Sequence, residues 1–304
     1  MAKEKAVNAS RQSRRAPRAK KPKLGQNFLA DRNQASKIVE ALGELATKTV
    51  VEIGPGRGVL TDFLTERAQR LIAIELDRVL AAQLRMKYAR NPNAEIIEAD
   101  VLSTDLRNLV QRKPQPLLAG PPRKSTDPPA TASVIGNLPY YITSDILLHL
   151  FEFHDVIEQI VIMVQREVAE RIAAKPGHRE YGLLSATAQL YATIQILFTL
   201  SPGAFVPPPK VDSTVLRLTI APRFETLAVD RNGFIDFLKL SFAQKRKTLL
   251  NNLRVRYPAS DVRLALKAAG AREDVRAEAL SLEKASIVFR ALNSRAGPVI
   301  AAEA

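Results

Sequence analysis

Residues 50–77 read VVEIGPGRGVLTDFLTERAQRLIAIELD, and the fold turns on this stretch. Thr49 to Ile53 is a short β-branched run suited to a buried parallel strand. Gly54, Gly56 and Gly58 follow at once, and glycine permits positive φ and a close approach to bare backbone. Val59, Leu60, Phe63 and Leu64 then recur at helical spacing. Leu71 to Ile74 reads as a second strand, ended by Glu75. An acidic side chain about 20 residues beyond a glycine turn can accept both hydroxyls of a ribose. The spacing is GxGxG, not GxGxxG, so the unit suits a nucleoside better than a pyrophosphate. Taken alone, it is also compatible with an ordinary tight βα turn.

Outward from this unit, the chain of 304 residues has ample length for a core and for one large or two ordinary domains. A hydrophobic fraction of 46% with 25% charged residues marks a soluble globular protein. No apolar run is long enough for a membrane span. Cysteine is absent, which excludes disulfides and thiolate chemistry. His149, His154 and His178 lack metal-site spacing, so no metal is expected. The net charge of +14 points to a polyanion, most simply nucleic acid. Part of it is concentrated in residues 1–24, read as a disordered basic tail with Glu4 as its one acid.

Leu24 to Leu29, LGQNFL, is a polar-aromatic turn before a helix. Asp31 and Gln34 have capping-box spacing, and Ala35, Ile38, Val39, Leu42 and Leu45 form one apolar face. Gln26, Asn27 and Phe28 either cap this helix or reach the nucleoside. Ile96 and Ile97 mark a third strand, ending at Asp100, which can accept a hydrogen bond from an exocyclic amine. Ligands of open parallel sheets sit at strand carboxyl ends, where the glycines, Glu75 and Asp100 converge. Residues 111–132 are proline-rich, without period, and read as a surface insertion.

Val134 to Thr143, VIGNLPYYIT, is a second chemical centre. An adenine amino group is a poor nucleophile because its lone pair is delocalised into the ring. Two acceptors on its N–H bonds can turn that lone pair towards an electrophile. The Asn137 side-chain oxygen and the Leu138 carbonyl, directed by Pro139, are suited to this, with Tyr140 stacking on a flipped base through its ring alone. Tyr141 should point elsewhere and pack. Further on, Ile160 to Val164 reads as a long strand, and Ala192 to Leu200 with Thr214 to Ile220 as a closing pair. Between that pair, FVPPPKVDS (Phe205 to Ser213) is either a rigid loop with a core Phe205 or a device that presents Phe205 to the base. After Pro222 four segments with helical spacing predict a small helical domain at 223–294. There Lys245, Arg246, Lys247 and Arg254 lie in a stretch without an acid, suited to phosphate contact.

In this order, GQNFL, VEIGPGRGVLT, IELD, EADVL, NLPYY, FVPPPKVDS and FAQKRKTLLNNL resemble the ribosomal RNA adenine-N6 dimethyltransferase family over about residues 22–292. The resemblance implies a Rossmann-like α/β sheet at 25–222, the helical RNA-binding domain at 223–294 and a tail at 295–304. It implies S-adenosylmethionine as donor and dimethylation of two adjacent adenosines near the 3′ end of 16S ribosomal RNA. The expected partner is the small ribosomal subunit precursor, met by a cytoplasmic monomer without membrane contact. By position, Asn27 and Leu29 border the donor, Gly54 and Gly56 approach it, Glu75 takes its ribose and Asp100 its adenine. Asn137 lies between donor and target, with Leu138, Pro139 and Tyr140 around the target. The alternatives are a sister enzyme acting on 23S RNA, and a non-catalytic assembly or transcription factor of the same fold.

Overall fold

The computed structural model describes residues 27–112 and 131–294. The basic tail at 1–24, Gln26, most of the 111–132 insertion and the 295–304 tail lie outside the described residues.

The chain enters through a two-residue strand, β1 (Phe28–Leu29), and a helix, α1 (Arg32–Glu40). Asp31 caps that helix, accepting from the amides of Asn33 and Gln34. Then come β2 (Thr49–Ile53), α2 (Val59–Arg67), β3 (Arg70–Glu75), α3 (Arg78–Lys87) and β4 (Ala94–Glu98). The short α4 (Leu106–Gln111) precedes β5 (Ala132–Asn137), α5 (Thr143–Glu152) and β6 (Ile157–Gln165). Two helices follow, α6 (Arg166–Ala173) and α7 (Leu183–Tyr191), and then β7 (Ala192–Leu200), the two-residue β8 (Phe205–Val206) and β9 (Ser213–Ile220). Four helices complete the fold: α8 (Arg231–Ser241), α9 (Leu249–Leu253), α10 (Ala259–Ala268) and α11 (Leu282–Asn293).

Seven strands form one sheet in the order β4-β3-β2-β5-β6-β9-β7. Pairings from β4 to β6 are parallel, and β9 runs antiparallel to both β6 and β7. Every residue of β3 is buried, as expected of a parallel strand covered on both faces. The chain winds outward through β3 and β4, then returns to the other side of β2 as β5. This switch between β2 and β5 opens a crevice at their carboxyl ends.

All the strands expected from sequence are present, with ends one to three residues longer in most cases. Two elements depart from the reading. Phe28 and Leu29 are not a free turn: they pair antiparallel with Val206 and Phe205. The helix α7, LLSATAQLY, was not expected. Seven of its nine residues are buried, so it has no polar face to betray a helical period. The apolar core under β5 and β6 continues without a break through α7 into α8, α9, α10 and α11. Two hydrogen bonds reinforce the junction, from Arg231 Nε to the Tyr191 hydroxyl (2.9 Å) and from the Gly177 amide to the Glu278 carbonyl (2.8 Å).

Candidate functional site

A cleft of about 1070 Å³ opens at the carboxyl ends of β2, β3 and β5. Its lining brings together Asn27, Leu29, Gly54, Gly56, Glu75, Asp100, Asn137, Leu138, Pro139 and Tyr140, the residues expected around donor and target.

Glu75, at the end of β3, is 3% exposed. Its Oε2 accepts from the Gly56 amide and its Oε1 from the Asp77 amide, both at 2.9 Å. Two backbone donors therefore fix the carboxylate plane, and each oxygen keeps a second lone pair for an incoming hydroxyl. Gly56 has φ +59, and a Cβ there would lie 2.9 Å from the Phe28 ring. A side chain would thus both strain the turn and displace the ring that borders the cleft. At Gly136 the constraint is space: a Cβ would sit 2.7 Å from the Ile53 carbonyl. Asp100 is exposed, and its Oδ1 accepts from the Leu102 amide, capping a single helical turn while it borders the cleft.

Asn137 ends β5. Its Nδ2 donates to the Asn27 carbonyl at 3.0 Å. A carbonyl can only accept, so the amide nitrogen must face Asn27 and Oδ1 is turned away from it. The side chain therefore has an acceptor to offer a target amine, as the NLPY reading requires. Pro139 turns the chain beside it, and its carbonyl accepts from Thr143 Oγ1 at 3.0 Å. The Tyr140 hydroxyl lies 2.8 Å from Ser213 Oγ, and burial raises its pKa.

Three expectations need correction. Phe205 does not line the cleft. It is 2% exposed, packs with Leu29, Leu200 and Val215, and belongs to β8 opposite Leu29. Of the two readings of FVPPPKVDS, the structure has the core phenylalanine. The Tyr140 hydroxyl is engaged rather than idle. Tyr141 borders the cleft and is 63% exposed, so it is not a packed residue. The basic stretch is a separate matter: Lys245, Arg246, Lys247 and Arg254 are all exposed and distant in sequence from the cleft, and Lys245 Nζ donates to the Arg179 carbonyl at 2.7 Å.

Two cleft residues, Arg57 and Glu52, and one partner of a cleft residue, Ser213, carried no role in the sequence reading. Arg57 lies 4.8 Å over the Phe28 ring, a cation–π contact at the rim. Ser213 was quoted within FVPPPKVDS, but its partner is 73 residues away and left no local signal. Glu52 lies in the floor of the cleft. Its signal was present, as a charged residue inside the β-branched run TVVEI. Among the described residues no cluster of His, Asp and Glu could hold a metal ion, and none of the helices is long and apolar enough to cross a membrane.

Comparison with known proteins places this geometry. A sequence profile described as ribosomal RNA adenine dimethylase matches residues 18–294. The Ribosomal RNA small subunit methyltransferase A of Koribacter versatilis is 59% identical over 274 residues, covering 90% of this chain and 95% of that protein. Its counterpart in Acidobacterium capsulatum is 52% identical over 276 residues, covering 90% and 92%. Among solved structures, the 23S rRNA methyltransferase ErmE aligns with a TM-score of 0.63 at 26% identity, covering 88% of this chain and 99% of that one. A dimethyladenosine transferase from Plasmodium falciparum shares the fold, with a TM-score of 0.67 at 22% identity, covering 86% and 95%.

Proposed function

The chain belongs to the ribosomal RNA adenine dimethylase family, and from that premise we propose how its cleft performs the reaction. It is an enzyme that transfers methyl groups from S-adenosylmethionine to N6 of adenines in ribosomal RNA. The substrate assigned to it is 16S RNA of the small ribosomal subunit, at two adjacent adenosines near the 3′ end. The identity of 59% with a small-subunit enzyme, against 26% with a 23S enzyme, favours this over the large-subunit reading. The physical substrate is the precursor particle, and the enzyme acts as a monomer in the cytoplasm.

The residues of the cleft fit the donor. The Glu75 carboxylate is preoriented by two amides for the ribose hydroxyls. Gly54 and Gly56 leave bare backbone beside it, Asn27 and Leu29 border it, and Asp100 faces its adenine. Val59 and Leu60, in the first turn of α2, line the cleft, and the unpaired amides of a helix start favour the donor's carboxylate. When bound, S-adenosylmethionine supplies a methyl group on a positively charged sulfur, open to attack by a nucleophile.

The protein's part is to make the adenine amine such a nucleophile and to aim it. Asn137 Oδ1 and the Leu138 carbonyl accept the two N–H bonds, which lets the nitrogen lone pair turn out of conjugation towards the methyl group. Holding both partners in line is the main catalytic contribution, since orientation removes much of the entropic barrier. Tyr140 stacks on the flipped base and replaces the neighbour it has lost. The observation that carries this reading is the Asn137–Asn27 bond, which leaves Asn137 Oδ1 to accept the amine. Lys245, Arg246, Lys247 and Arg254, on the helical part at 223–294, are assigned to phosphate contact.

The decisive experiment maps N6-dimethylated adenosines in 16S RNA from a deletion strain. Wild-type chain should restore both marks, and Asn137→Ala should restore neither. Marks that persist in the deletion strain, or that appear on 23S RNA, would overturn the assignment.

A further inference from the structure

Tyr141 has no part in the mechanism above, yet its ring borders the cleft and is 63% exposed. The chain has eleven phenylalanines and six tyrosines, all among the described residues, and Tyr141 alone of them is exposed. The other two aromatic residues of the cleft are engaged. The Arg57 guanidinium lies 4.8 Å over the Phe28 ring, and the Tyr140 hydroxyl is held by Ser213 at 2.8 Å. Tyr141 has neither a side-chain hydrogen bond nor a ring contact among the described residues. An uncovered aromatic ring beside a binding cleft is apolar surface without a use inside the fold.

Tyr140 and Tyr141 are consecutive in the turn between β5 and α5. Tyr140 is half-buried and tied to β9, whereas the Tyr141 ring stands in solvent. The two rings therefore meet different surroundings, one the wall of the cleft and the other its rim. A nucleotide that leaves its stack also deprives its neighbour. The base beside a flipped adenine loses a stacking partner and bares one face outside the pocket. A reaction at two adjacent adenosines does this twice, with a different neighbour each time. An aromatic ring tolerates that change, because every base has a π-face, whereas a hydrogen-bonding side chain reads a particular base edge.

We propose that Tyr141 forms a second base subsite at the rim of the cleft, on which the nucleobase next to the flipped adenine stacks. This rests on the reading of the cleft as the site of adenine methylation. The ligand is any base of the strand, with a purine favoured over a pyrimidine for its larger ring surface. The ring makes the contact, and the hydroxyl is left in water. Tyr141 touches neither the donor nor the reacting amine in this arrangement. It holds the strand one nucleotide away from the chemistry, so it governs productive RNA binding and leaves donor binding alone.

Single-turnover methylation of small-subunit particles by the full chain, at limiting particle concentration, tests this. Tyr141→Ala should be slower by roughly 10- to 100-fold, and Tyr141→Phe should stay within about 2-fold of wild type. Donor affinity and melting temperature should be unchanged in both, since the ring is exposed. The discriminating arm uses reconstituted particles with an abasic site on one or the other side of a target adenosine. On the flank that stacks, the abasic site should slow wild type by roughly the same factor as Tyr141→Ala, and slow Tyr141→Ala by no more than about 2-fold further. Equal slowing of wild type and Tyr141→Ala at both flanks would overturn the inference. So would a Tyr141→Phe as slow as Tyr141→Ala, or a Tyr141→Ala as fast as wild type. If Asn137→Ala were still inactive in those cases, the reading of the cleft would stand without the second subsite. Failure of wild type to methylate intact particles would instead overturn the reading of the cleft.

Discussion

The hydroxyl of Tyr140 is tied to Ser213, 2.8 Å away and wholly buried, across 73 residues of sequence. The ring proposed to stack on the target base is thus anchored to β9 at its far end. A neutral hydrogen bond of this kind contributes about 0.5–1.5 kcal/mol, and stacking on an aromatic ring about 1–3 kcal/mol per base. Tyr140→Ala should therefore slow single-turnover methylation of small-subunit particles by roughly 10- to 100-fold. Tyr140→Phe and Ser213→Ala should each slow it by about 2- to 10-fold, and combining them should cost no more than either alone. Additive losses in the double variant would mean that the two groups act separately and that Ser213 does not hold the ring.

Asn137 is oriented by a backbone carbonyl, so its chemistry depends on having one donor end and one acceptor end. Asn137→Asp would set two acceptors against each other at the Asn27 carbonyl. Asn137→Ala removes the acceptor offered to the amine. Both variants should lose most of the methyl-transfer rate, on the order of 100-fold, while donor affinity stays within about 3-fold. Calorimetry with the donor and single-turnover assays separate these quantities. A loss of donor affinity equal to the loss of rate would make Asn137 a binding residue only.

For the RNA surface, Arg246, Lys247 and Arg254 are exposed and remote in sequence from the cleft chemistry. Each phosphate neutralised on single-stranded RNA adds about 0.7 to the slope of log affinity against log salt. Replacing all three by glutamine should flatten that slope by roughly 2, with the methylated positions unchanged. Lys245→Gln should contribute less, because its ammonium also serves the Arg179 carbonyl. A slope identical to wild type in the triple variant would move the RNA contact elsewhere.

The buried Glu52 also predicts how stability depends on pH. Its carboxyl is raised from the ordinary 4.5 to about 8 in the folded protein. Between those values the folded state holds a proton that the unfolded chain has lost. Stability from this group is therefore fully present at low pH and falls as pH rises, by at most about 1.4 kcal/mol per unit. Glu52→Gln is neutral throughout and lacks this slope. In ligand-free protein the melting temperature of the variant should gain on wild type steadily from about pH 5 to pH 8. Parallel melting curves would show that Glu52 does not take up a proton on folding.

Most of the sheet was readable because its strands are either wholly apolar or β-branched. Val50, Val51, Ile53, Leu71, Ile72 and Ile74 state their burial directly. The cleft was readable because most of its residues sit at or just after a strand end in the local sequence. What escaped is what the third dimension creates. Leu29 meets Phe205 and Tyr140 meets Ser213 across long separations that no period records. Phe205 could equally have served a core or a base, and only its pairing in β8 decides. Glu52 finds its buried hydrogen-bond donor only because α2 brings Thr61 to its Oε2.

The two ends of the 111–132 insertion enter the fold at one place. Arg70, at the start of β3, donates to the carbonyls of Leu109 and Val110, and Ala132, at the start of β5, pairs with Thr49. All of these lie at the amino ends of the strands, and the methyl-transfer cleft lies at the carboxyl ends. A strand of five or six residues separates the two edges by roughly 17–20 Å. Length can therefore be added or removed at this point without touching the donor or the target, and each doubling of a loop costs only about 0.6 kcal/mol. The same separation makes this edge a favourable position for an affinity tag or fluorophore, a strand's length away from the cleft.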